Sequence, residues 1–271
     1  MPILRSMKQP SIFLPHGGGP CFFMNPDGPS DPMWRPMEDY LRGLIASLPE
    51  RPKGMLIVSG HWEEAQFAVH TGARPDLYFD YYGFPAHTYE LRWDAPGAPE
   101  LAMQAAGLLE AAGFPTKQES ARGWDHGVFI PMKVAVPEAD IPVAQLSLRH
   151  GLDPAAHIRA GRALEPLRSQ GILIVGSGMS FHNMRQRGPA VTPAADVWDD
   201  ALTDAVLDAD PAARAARVAH WDELANARYA HPREEHLLPL MVALGAGGDD
   251  AVVHDHRSHV LGWTVSAYRF G

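Results

Sequence analysis

The sequence predicts an α/β fold, and three stretches written in the same pattern carry that expectation. Ser11-Ile12-Phe13-Leu14 leads into Pro15-His16-Gly17-Gly18-Gly19-Pro20. Met55-Leu56-Ile57-Val58 leads into Ser59-Gly60-His61-Trp62-Glu63. Ile172-Leu173-Ile174-Val175 leads into Gly176-Ser177-Gly178-Met179-Ser180-Phe181-His182-Asn183. A short apolar run bounded by glycine reads as a strand buried on both faces of a sheet. The carboxyl ends of such strands open onto the ligand crevice, so the histidine that follows each run is well placed to act.

The remaining elements follow in chain order. Residues 36–48 place Met37, Tyr40, Leu41, Leu44 and Ile45 at helical spacing. Residues 66–93 read as an aromatic loop holding Tyr78, Phe79, Tyr81, Tyr82, Phe84 and Tyr89, broken by Gly83 and Pro85. That loop can serve as a cover for the core or as a wall for a flat apolar substrate. A helix rich in alanine and leucine spans 99–113 and closes on Gly113. Gly123-Trp124-Asp125-His126-Gly127 reads as a turn. A strand over 142–148 and a helix over 154–167 come next, with two amphipathic helices over 194–207 and 212–224. Pro239 is compatible only with a first helical turn, so a helix should begin near Glu235, with Glu235 and His236 at its mouth. The pattern of 260–270 is strand-like, and His254, His256 and His259 ahead of it read as a surface cluster.

Composition narrows the function. The chain has 271 residues, 46% hydrophobic and 20% charged, with a net charge of −9. It can bury a large core, and it has no basic field to attract nucleic acid or an anionic membrane. One cysteine, Cys21, excludes an intrachain disulfide and fits a reducing, cytoplasmic setting. Residues 1–8 lack the apolar core of a signal peptide, and no apolar stretch is long enough to span a bilayer. With no linker, repeat or low-complexity segment, one domain is expected. The triple glycine after His16 lacks the lysine and hydroxyl residue of a phosphate loop.

The chemistry resides in His16, His61, His126, His182 and His236, with Glu234 and Glu235 nearby. Taken singly, each histidine is most simply a hydrogen-bonded core or turn residue. Taken together, they sit at expected strand ends or at a helix start in glycine-rich sequence. Clustered histidines with carboxylates suit Zn(II) or non-haem Fe(II), and spacing alone does not separate a hydrolase from an oxygenase.

Eight motifs in order carry a resemblance. They are the stretches around His16 and His61, Tyr82-Gly83-Phe84-Pro85, Ala95-Pro96-Gly97, Trp124-Asp125-His126-Gly127, the stretch around His182, Glu234-Glu235-His236-Leu237-Leu238-Pro239, and Ala267-Tyr268-Arg269-Phe270-Gly271. Together they resemble the class III extradiol ring-cleavage dioxygenases, in the branch similar to 4,5-DOPA dioxygenase. The resemblance implies a single three-layer α/β domain over residues 1–271, with a mixed, mostly buried sheet and helices on both faces. It implies one non-haem divalent metal per chain, Fe(II) for activity and Zn(II) as a plausible bound form. By motif, His16, His61 and His236 would be ligands, His182 a further ligand or the base, and His126 a residue that binds or protonates the substrate. The broader class uses a glutamate as third ligand, which makes Glu235 the competitor of His236. The implied reactants are a catechol-type aromatic substrate and O2, in a monomer or homodimer. A zinc-dependent hydrolase and a non-catalytic binding module on the same fold are the alternatives.

Overall fold

The computed structural model describes residues 7–271. The first six residues, part of the stretch read above as lacking a signal-peptide core, lie outside the described residues. Among the described residues, eight strands form one mixed sheet: β1 (Ser11–Pro15), β2 (Gly54–Glu64), β3 (Phe67–His70), β4 (Thr116–Glu119), β5 (Val143–Arg149), β6 (Ile172–Gly178), β7 (Val252–Val260) and β8 (Trp263–Phe270). Their spatial order is β4-β3-β5-β2-β6-β1-β8-β7. The four central strands, β5, β2, β6 and β1, are mutually parallel. The β7–β8 hairpin adds antiparallel to β1.

The helices are α1 (Arg35–Gly43), α2 (Pro99–Ala111), α3 (His126–Ala135), α4 (Pro154–Leu164), α5 (Thr192–Val206), α6 (Pro211–Ala219), α7 (Ala227–Ala230) and α8 (Leu238–Gly247). The alternation along β6 shows how they layer the sheet. Gly176 and Gly178 face α8 and the segment before it, whereas Ser177 between them donates to the Gly127 carbonyl of α3. Helices α2, α4 and α8 pack together on the first of these faces, and α1 joins α3 on the second. Met55 to Val58 and Leu173 to Val175 are wholly buried, as expected of strands covered on both sides. No helix among the described residues is long and apolar enough to cross a membrane.

Several boundaries differ from the sequence reading, each for a local reason. His126 does not sit in a turn; it opens α3. Gly127 and Pro131 disguise that helix, because Pro131 has no N–H to give the Gly127 carbonyl four residues earlier. The Ser177 hydroxyl supplies the missing donor. The expected aromatic loop begins with a short strand, β3, which pairs with β4 and touches β5. The last strand is preceded by another, and the turn between them holds Leu261 and Gly262 at φ 56° and 87°, which is hairpin geometry. Helix α8 begins at Leu238 rather than near Glu235, with Pro239 in its first turn as expected. The helices expected to reach Leu48, Leu167 and Leu224 end earlier, and short 3-10 turns complete them.

The close approach of His236 to the sheet depends on glycine. A Cβ at Gly178 would fall on the His236 carbonyl oxygen, and that carbonyl accepts the Met179 N–H at 2.9 Å. Gly178→Ala is therefore expected to destabilise the protein by ~1–3 kcal/mol, the usual cost of overpacking, and to displace His236. Denaturant unfolding of the variant measures the first effect; a midpoint equal to wild type would refute it.

Candidate active site

Because β1, β6 and β2 are adjacent and parallel, their carboxyl ends share one edge of the sheet. His16 follows β1 directly, and its N–H extends the ladder to the Gly178 carbonyl at 3.0 Å. His61 lies within β2 where that strand loses register with β5, between Val58 and Glu63. An irregularity of this kind re-aims a side chain next to a site. His182 follows β6 by a short loop, and His236 enters from the turn before α8. His126 comes from the start of α3. All five sequence-predicted histidines converge.

Their ring nitrogens are organised by what each Nδ1 touches. Nδ1 of His16 lies 2.8 Å from the Gly17 carbonyl, that of His236 lies 2.9 Å from Glu235 Oε1, and that of His61 lies 3.4 Å from Asp80 Oδ2. The two short contacts place the proton on Nδ1 of His16 and His236, and the Asp80 carboxylate favours the same tautomer of His61, which leaves the three Nε2 lone pairs for the interior. Nε2 of His61 and His236 face one another at 3.2 Å, and Nε2 of His16 is buried without a hydrogen-bond partner among the described residues. The ligand atoms of His16, His61 and His236 all lie within 4.8 Å of one another. Lone pairs converging without a donor are what a cation between them would satisfy, so the residues fit a divalent metal.

Electrostatics agree with that fit. Burial pushes the imidazoles of His16, His61 and His236 well below the ordinary histidine range, and the neighbouring histidines push the same way. All three are neutral at neutral pH, the state that binds metal. Burial acts to raise the Glu235 carboxyl, but bonding to His182 and to the backbone, with Arg233 nearby, outweighs it and holds the group below its usual value. Glu235 is thus a carboxylate behind the rings of His236 and His182, 3.4 Å from His182 Nδ1. The His182 ring stacks on that of His236 with centroids 3.5 Å apart. Glu234 turns away to Arg228, at 2.7 Å.

Sequence reading passed over Asp80. One oxygen approaches His61, and the other accepts from the His126 backbone N–H at 2.9 Å and lies 2.7 Å from its Nδ1. An aspartate amid Phe79, Tyr81 and Tyr82 was the available signal, since a charge within an aromatic run needs a partner. Asp125 was passed over too. Wholly buried, it accepts from Ser59 Oγ at 2.7 Å and Gln145 Nε2 at 2.6 Å, and Ser59 Oγ in turn receives the His61 N–H at 3.1 Å. Asp80→Asn is expected to weaken metal affinity by roughly 10–100-fold, the range for losing an outer partner of a ligating histidine. A competition titration against a chelator reads this directly, and affinity within twofold of wild type would remove Asp80 from that role.

The cluster floors a cavity of about 530 Å³, a size suited to a small organic ligand. Tyr81 and Phe84 of the aromatic loop wall it, with Trp34 and Trp263. Phe79 and Tyr89 instead pack toward the core, Phe79 against Phe129, so the loop both covers the core and walls the cavity. Gly17 to Gly19 line the same cavity. His254, His256 and His259 stand apart on β7, bonded to Ser266, Ser258 and Asp196.

Imidazoles at the floor of an aromatic-walled cavity, on the carboxyl edge of an α/β sheet, are the architecture expected of a metal enzyme for small, flat substrates. A family model described as the catalytic LigB subunit of aromatic ring-opening dioxygenase matches residues 10–271. The 4,5-DOPA dioxygenase extradiol of Beta vulgaris is 39% identical over 246 residues, covering 89% of this chain and 88% of that protein. The dioxygenase tasH of Hapsidospora irregularis is 36% identical over 97% of this chain and 85% of its own length. The crystal structure of an uncharacterized Escherichia coli K12 protein superposes with a TM-score of 0.77 at 26% identity, covering 97% of this chain and 100% of that one. The chain belongs to the LigB family of aromatic ring-opening dioxygenases, the class III extradiol enzymes.

Proposed function

We propose that the protein opens a catechol-type ring beside its two hydroxyls with O2, giving a ring-opened semialdehyde; relatives named 4,5-DOPA dioxygenase extradiol support this reading. The observation that carries this reading is the convergence of three Nε2 atoms, each backed by an acceptor on Nδ1, in an aromatic-walled cavity. His16, His61 and His236 would hold the metal, Fe(II) for activity, with Zn(II) a form that also suits the imidazoles. When bound, that metal supplies a Lewis-acidic centre that lowers the pKa of a catechol hydroxyl and links the ring electronically to O2.

The other residues handle protons and orientation. His182 stands beside the three-histidine cluster with its Nδ1 toward Glu235, which leaves Nε2 to take a hydroxyl proton. His126 is fixed by Asp80 with its ring 3.9 Å from that of His61, centroid to centroid, where it can bond or protonate the ring substituents. Tyr81, Phe84 and Trp263 supply flat walls that orient an aromatic ring and exclude water.

Oxygen uptake by anaerobically Fe(II)-reconstituted protein, offered a catechol panel, tests the reading. Uptake with a yellow product is expected. Protein holding a full complement of iron that takes up no oxygen across the panel would overturn it, and hydrolase and binding assays would then follow.

A further inference from the structure

We propose that Arg187 recognises a carboxylate on the substrate, so that the preferred catechols carry an acid group on the ring or its side chain. The inference rests on the ring-cleavage reading for the identity of the ring and on the cavity itself for the charge. Arg187 is the one lysine or arginine that lines the cavity among the described residues. No carboxylate pairs with it among them; its guanidinium reaches only the Met184 sulfur, at 3.6 Å. Asp31, the cavity's one carboxylate among the described residues, makes no ion pair with it either, and its Oδ1 accepts the Met33 N–H at 2.9 Å.

The backbone that presents Arg187 is fixed on both sides. The carbonyl of Gln186 accepts the Trp263 indole N–H at 2.5 Å, and the Gly188 N–H donates to the Leu261 carbonyl at 2.7 Å. Leu261 in the β7–β8 turn and Trp263 at the start of β8 line the same cavity. An exposed, unpaired guanidinium on a pinned backbone, lining the same cavity as the imidazoles, can receive an acid group while the ring reaches the histidines. Guanidinium is suited to this role because its planar fork meets a carboxylate with two parallel hydrogen bonds.

The probes are 3-(3,4-dihydroxyphenyl)propionate and 4-methylcatechol, which share a ring and differ in the carboxylate. Anaerobic calorimetry on the Fe(II)-loaded protein gives the dissociation constants. Wild type is expected to prefer the acid by about tenfold, as a partly solvated charge-assisted contact allows. Raising the salt should shrink that preference, because an exposed charge is screened. Arg187→Gln should erase it while leaving 4-methylcatechol binding unchanged, and Arg187→Lys should restore part of it. Equal binding of both probes by wild type, or a preference that survives in Arg187→Gln, would overturn the assignment. Protein that prefers the acid through Arg187 yet takes up no oxygen with any catechol of the panel would uphold the assignment and sink the ring-cleavage reading.

Discussion

His61→Ala is expected to lose metal and ring cleavage together while keeping its fold. The affinity loss should exceed ~100-fold, the upper end of what removing an outer partner alone costs. His61 is the histidine on which the site converges. Its Nε2 faces that of His236, its Nδ1 faces Asp80, and its ring lies against those of His16 and His126. The backbone there is held independently of the imidazole, by the Ser59 hydroxyl on the His61 N–H and by Arg122 on its carbonyl at 3.0 Å. The metal-free variant should therefore unfold at close to the same denaturant concentration as metal-free wild type. Elemental analysis after loading and desalting is the decisive measurement, and unchanged metal content would sink the three-histidine assignment. His182→Ala separates the roles: it should retain metal and lose turnover.

The convergence of these histidines was legible because β1, β2 and β6 are apolar runs that end in glycine, and parallel neighbours must share an edge. What the sequence hid was whatever depends on one segment meeting another. Asp80 acts on His61 and His126 only because the aromatic loop folds back over β2 and α3. The competition between Glu235 and His236 turns on the backbone before α8. There the structure points His236 inward and sets Glu235 behind it, bonded to the ring nitrogen that faces away. Helix α3 was hidden by Pro131, whose missing hydrogen bond is made good by Ser177 from a strand remote in sequence. Strands β3 and β4 have only four residues each and take their identity from pairing with each other, which composition does not encode.

Arg168→Ala is expected to produce the largest loss of stability, about 3–5 kcal/mol, as for a buried charge network that loses one partner. Sequence reading gave this residue no role, yet its side chain is 1% exposed and makes five hydrogen bonds. The guanidinium donates to the Gln9 carbonyl before β1, to the Ala246 and Gly247 carbonyls at the end of α8, to the Asp250 carboxylate, and to the Phe270 carbonyl at the end of β8. Alanine would take one donor from each of those carbonyls and would remove a cation from the negative end of α8. Arg168→Lys should rescue little, since one ammonium cannot span five acceptors. Because α8 connects this network to His236, metal binding and the network stabilise the same helix from its two ends. Loading the variant with metal should then recover part of the lost stability by mass action. Thermal unfolding with and without metal tests both statements, with a drop in Tm on the order of 10 °C expected for the metal-free variant. A metal-free variant within 1 °C of wild type would mean that the buried guanidinium is held by the fold rather than holding it.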